Sequence, residues 1–174
     1  MKMRRPFLQI VAVLLGAAAA LRAGDALPGI LTGVPRGVVV CTALSEATAL
    51  TGLRLQLPPA LSVYQPIFRG IRATRAPQAA LAVTMHDPTG NTLAVFRSAF
   101  SSIDRRLFQP LFPFHEIAIQ VAGRPAMLRA SNQPGGPAVQ DLEWIANGTR
   151  TVLRFDGPTL ELLRIADQMA RLEP

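Results

Sequence analysis

The run Val139-Gln140-Asp141-Leu142-Glu143-Trp144-Ile145-Ala146-Asn147-Gly148-Thr149-Arg150-Thr151-Val152-Leu153-Arg154-Phe155 decides the fold. Asn147 and Gly148 both tolerate positive φ, so this dipeptide between two strand-like arms predicts a tight hairpin. In the first arm Leu142 and Trp144 alternate with Asp141 and Glu143, the period-two pattern of a strand with one face in a core and one in water. Trp144 is accordingly expected on the inner face, while the Asp141 and Glu143 carboxylates are expected on a solvated one.

The same signals recur upstream. Ile67 to Arg75 and Ala79 to Met85 read as strands, and Thr92 to Ala99 follows the turn-forming run Asp87-Pro88-Thr89-Gly90-Asn91. Ile117, Ile119 and Val121 alternate with Ala118 and Gln120. Ala126 to Ala130 resumes after Gly123-Arg124-Pro125, and residues 132–137 form a loop. Three hairpins make the expected sheet antiparallel.

At the near end, Thr42 or Ser45 can cap an Ala- and Leu-rich helix over 43–51 that Gly52 ends, and Leu53, Leu55 and Leu57 alternate as a further strand before Pro58-Pro59. At the far end, Pro158 opens an amphipathic helix with two apolar stripes. One is Leu160, Leu163, Ala166 or Asp167, and Ala170; the other is Leu162, Ile165, Met169 and Leu172. So wide an apolar face belongs against a sheet. The expected class is α+β: an antiparallel meander with a short N-terminal helix and a C-terminal amphipathic helix, covered on one face.

Before this domain comes a leader. Lys2, Arg4 and Arg5 precede an apolar run from Phe7 to Leu21 broken only by Gln9. That is the layout of a signal peptide, with small residues suited to cleavage after Ala20 or after Ala26. Retained, residues 7–21 would serve as a membrane anchor with the basic cluster on the cytoplasmic side. Both readings place the rest outside the cytoplasm, periplasmic or secreted. The expected organisation is thus 1–26 signal peptide or anchor, 27–41 lead-in, and 42–174 one extracytoplasmic domain.

The net charge of +7 overstates how basic that domain is. Setting aside Lys2, Arg4, Arg5, Arg22 and Asp25 leaves 14 of the 18 basic and 10 of the 11 acidic residues, a net of +4. This falls short of a nucleic-acid footprint, and no nucleic-acid partner is expected. Cys41 is the one cysteine, so the fold must rest on its core, and Cys41 reads as a buried apolar residue inside Val38-Val39-Val40.

Chemistry is sparse. His86 and His115 are the only histidines, and no His, Cys, Asp or Glu cluster has the spacing of a metal site. Ser131, His115 and Asp141 would make a triad only on paper, without a Gly-x-Ser-x-Gly elbow. No glycine loop suited to cradling phosphate is present. No catalytic, cofactor-binding or metal-binding residue is assigned, and an enzyme is not expected.

Glu46-Ala47, Leu50-Thr51-Gly52-Leu53, Leu55-Gln56-Leu57-Pro58 and Leu61 form one group of motifs. Leu142-Glu143-Trp144, Asn147-Gly148, Val152 to Phe155 and Leu160 to Ala166 with Met169 form a second. Together they resemble a bacterial extracytoplasmic domain of unknown function that follows the membrane span of anti-sigma factors and occurs in lipoprotein-like proteins. The resemblance encloses about Thr42 to Leu172. It implies a fold and a location, and carries over no catalytic residues.

One segment is unusual. Phe100, Ile103, Leu107, Phe108, Leu111, Phe112 and Phe114 crowd together with Arg105 and Arg106, without a strand period. Either this connection plugs the open end of the core, or it offers an apolar surface or groove to a protein or lipid partner in the cell envelope, with Arg105 and Arg106 meeting an anionic headgroup. Trp144 is weighed the same way, core against ligand contact. Two functions follow: a non-enzymatic interaction or sensor module, or a carrier of an apolar ligand such as a lipid or exported polypeptide. A cavity lined by Phe108, Phe112 and Phe114 would favour the carrier, and a filled core with an exposed aromatic patch the module.

Overall fold

Strands β1 (Val39–Val40), β2 (Gln65–Thr74), β3 (Ala80–His86), β4 (Thr92–Ala99), β5 (Phe114–Val121), β6 (Arg124–Ser131), β7 (Gln140–Ala146) and β8 (Thr149–Phe155) make one sheet in the order β1-β2-β3-β4-β8-β7-β6-β5. Every neighbouring pair is antiparallel. Helices α1 (Leu44–Thr51) and α2 (Thr159–Leu172) complete the α+β domain. The structure is a computed structural model that describes residues 33–99, 104–112, 114–131 and 138–173. The expected leader over 1–26, the first part of the lead-in (27–32), Phe100, Ile103 and the loop read over 132–137 lie outside the described residues. No helix among the described residues is long and apolar enough to cross a membrane.

The hairpin at the heart of the sequence forms as expected. Asn147 and Gly148 take φ of 50° and 70°, and Leu142 stands opposite Leu153. A second two-residue turn falls at Ala122 and Gly123, with φ of 48° and 78°, so Arg124 and Pro125 already belong to β6 rather than to a turn.

Both helices lie on one face. Ala47 of α1 and Leu162, Ile165, Ala166, Met169 and Ala170 of α2 join Leu81, Val83, Leu93, Val95, Leu142, Trp144, Leu153 and Phe155 in a single core. Each large aliphatic side chain so buried contributes about 1.5–3 kcal/mol. Of the two stripes read along α2, the one through Leu162, Ile165 and Met169 turns inward, widened by Ala166 and Ala170, while Leu160 stays 79% exposed.

Four expectations change. The sheet is not a simple meander: β4 and β5 run parallel with β8, β7 and β6 between them, so the chain must cross about 19 Å at ~4.8 Å per strand before walking back. Nor is only one face covered, because part of this crossover lies on the face opposite the helices. The alternation of Leu53, Leu55 and Leu57 makes no strand; it marks an extended segment that packs Leu55 into the core without a strand to pair with. At α1, Ala43 holds the N-cap position with no side-chain cap, and Glu46 instead reaches back to accept from the Thr42 N–H at 2.8 Å. Gly52 ends α1 as expected, at φ 72° with its N–H on the Thr48 carbonyl. Cys41 is buried, and burial together with Glu46 pushes its thiol pKa up.

Candidate functional site

The described part of the crossover, residues 104–112, divides into a buried and an exposed portion. Asp104 starts it with a tight turn: its carboxylate accepts from the Arg106 N–H at 3.0 Å, Nε at 2.8 Å and Nη2 at 2.6 Å. Burial opposes ionisation of Asp104, yet the hydrogen bonds from Arg106 outweigh it and hold the carboxyl below the usual range. Leu107 and Phe108 then pack on Ala80, Ala82, Phe96 and Val152, with the Phe108 and Phe96 rings stacked at 5.1 Å, and Leu111 packs on Ala94 and Val139.

A buried ion pair fastens this belt. Arg154 of β8 donates from Nε and Nη2 to the two oxygens of Asp141 on β7, each at 2.6 Å, and from Nη2 to the Gln109 carbonyl at 2.9 Å. Its Cζ lies 4.3 Å from the Phe108 ring centre. Burial holds the Asp141 carboxyl above its ordinary range, a shift that the Arg154 bonds and the Leu111 backbone only partly offset. The expected solvated face for Asp141 is therefore wrong: the crossover covers it, leaving it 1% exposed. Glu143, its neighbour on that face, joins an ion ladder running across four strands, Glu116 to Arg129 at 2.9 Å, Arg129 to Glu143 at 2.6 Å and Glu143 to Arg150 at 3.0 Å.

The residues singled out by sequence thus separate. Leu107, Phe108 and Leu111 are buried. Trp144 is core at 1% exposed, its indole N–H donating to Glu173 at 2.9 Å. Arg106 is half-exposed and pairs with Asp104, and Arg105 is exposed. Phe112 is 80% exposed and Phe114 37%. His115 and Asp141 lie on opposite faces of the sheet by strand alternation, and both Asp141 oxygens are engaged by Arg154, so the paper triad does not assemble.

What the crossover delivers is β5, which among the described residues is an edge strand paired with β6 alone. Its exposure runs nearly its whole length, and Ile117 is 58% exposed beside Phe112 and Phe114 in sequence. The two-residue turn at Ala122-Gly123 sets which backbone groups are paired: Val121 and Arg124 form the closing hydrogen-bonded pair, so Ile119, Ile117 and His115 bond to β6 while Phe114, Glu116, Ala118 and Gln120 direct N–H and C=O outward. Pro125 fits this register, since its position opposite Gln120 needs no N–H toward β5. Glu116 is the one charged side chain on the strand, and Arg129 binds it. Proteins ordinarily blunt such an edge with Lys, Pro or a bulge, and β5 has a regular register and neither residue. The opposite edge differs, being a two-residue β1.

Sequence reasoning placed Ile117 and Ile119 in a strand without seeing that the strand is an edge. The clue was the length of the Phe-rich connection, long enough to bypass several strands. Comparison with protein-family models, curated proteins and solved structures finds no match.

Proposed function

We propose that the chain is a non-enzymatic extracytoplasmic interaction module that takes up an extended polypeptide along β5. One observation carries this: an eight-residue, nearly uncharged edge strand with outward N–H and C=O groups at alternate positions, flanked by exposed Phe112, Phe114 and Ile117. Backbone pairing would supply affinity, and alternate side chains the choice of partner. The complementary segment is an apolar, near-neutral strand, because β5 offers no unpaired charge to meet one. The basic, apolar leader and the resemblance to an extracytoplasmic domain support the location. The carrier reading finds less support, since Leu107, Phe108 and Leu111 fill space against Phe96, Val152 and Val139 instead of lining a cavity.

The test is photo-crosslinking in intact cells with a crosslinking amino acid at Gln120, with and without Ala118→Pro. Ala118 directs its N–H outward, so proline removes a donor toward a partner and none toward β6. A discrete polypeptide adduct that Ala118→Pro abolishes at unchanged thermal stability is the expected result. No adduct, or one indifferent to Ala118→Pro, overturns the proposal; an adduct of two copies of this chain reassigns the edge to self-association.

A further inference from the structure

A second site lies on the helix side of the sheet, where the segment leaving α1, the β7–β8 turn and the end of α2 meet. Here a crevice of about 280 Å³ is lined by Arg97, Thr149, Arg54, Asn147, Leu172 and Glu173. Its volume sits just under the ordinary range for ligand cavities, ~300–1,000 Å³, which suits a small molecule.

The electrostatics of the crevice are set by Glu173. Its carboxylate accepts from Trp144 Nε1 at 2.9 Å and Thr151 Oγ1 at 3.1 Å, and pairs with Arg97 at 3.2 Å and Arg124 at 3.3 Å. One carboxylate is thus shared between two buried or half-buried guanidiniums, and Arg54 adds a third cation at the rim without a carboxylate partner among the described residues. Two guanidiniums, Arg97 and Arg54, line the crevice against the one carboxylate of Glu173, which Arg124 also engages.

Arg97 is the decisive group. Its side chain is 12% exposed and its Nη2 is held by Glu173, but its Nε is buried with no hydrogen-bond partner. An unmet guanidinium N–H is costly to bury, and water or an oxyanion would relieve it. Burial also pulls the Arg97 pKa below its ordinary value, against the pull of Glu173.

We infer that this crevice binds a small organic anion, its oxyanion held between the guanidiniums of Arg97 and Arg54 and its apolar part lying on Leu172 and the neighbouring Leu53. The site is separate from β5, and its failure would leave the edge proposal untouched. The shared chemistry is an oxyanion, supplied by a carboxylic acid or by a phosphate.

Trp144 is the protein's one tryptophan, and its indole N–H sits on the same Glu173 carboxylate, so its fluorescence reports on the cluster. The experiment titrates the full chain with sodium succinate or inorganic phosphate at constant ionic strength and follows Trp144 emission and thermal midpoint. Saturable change is expected, weakened at least about tenfold by Arg54→Gln, a rim substitution that leaves folding intact, and abolished by Arg97→Gln. The tighter of the two anions names the source. A linear, unsaturated response to both anions, or affinity unchanged in Arg54→Gln, overturns the inference, and this readout holds even where Arg97→Gln fails to fold.

Discussion

Arg154 and Asp141 face each other across β8 and β7 as a two-pronged ion pair, 2.6 Å in each arm, directly beneath the crossover that hides them from water. Removing two charges from water is expensive, and the attraction returns that cost only when both partners remain. Arg154→Met alone should therefore destabilise the domain by about 3–5 kcal/mol, whereas Asp141→Leu combined with Arg154→Met should recover a large part of the loss. Urea denaturation of the two single variants and the pair checks this; equal losses in single and double variants would show that the pair does not act as a unit.

The crossover should behave as a structural belt with one exposed end. Phe108→Ala removes a ring stacked on Phe96 and should cost about 3–5 kcal/mol. Phe112→Ser changes a side chain that is 80% exposed and should stay within ~0.5 kcal/mol. Thermal midpoints of the two variants should differ accordingly, and a large loss from Phe112→Ser would mean that it packs more firmly than its exposure indicates.

Acid should loosen the start of that belt. The Asp104 carboxyl lies below its ordinary value of 3.8 in the folded chain, so its stabilising contribution is complete above about pH 4 and is lost as pH falls through the lowered value. Asp104→Asn should cost about 1–2 kcal/mol at neutral pH. Stability profiles of variant and native protein should run parallel above pH 4.5, by about the same offset, and converge toward pH 2. Parallel curves throughout would show that Asp104 is not depressed.

Ala122 is a non-glycine residue at φ 48°, a left-handed conformation that crowds its Cβ, and its N–H is held by Asp167 at 3.1 Å. Ala122→Gly should raise stability by about 0.5–1 kcal/mol by relieving that strain while keeping the N–H. A lower midpoint for this variant would place the strain elsewhere.

Much of the architecture is legible in the chain because it is written locally. Asn147-Gly148 names its turn through positive φ, and Leu142 and Trp144 name their face through alternation. Where reading failed, a distant segment decided. Leu53, Leu55 and Leu57 alternate because one side is buried, and alternation cannot tell a paired strand from an extended segment lying on a core. Asp141 looks solvated until residues 104–111 are laid over it. The edge at β5 and the convergence of Arg97, Arg124 and Trp144 on Glu173 depend on strand order, which no local pattern records.

The crossover also divides the molecule. β2, β3 and β4 pair in sequence order beside α1, and β5 to β8 pair in sequence order beneath α2, so each contiguous half carries its own helix. Within the sheet the halves meet along one seam, from Leu93 opposite Phe155 to Ala99 opposite Thr149. A chain severed inside the connection would leave two fragments that each keep their local pairings and need only that zipper, with the shared core beneath it, to reassemble.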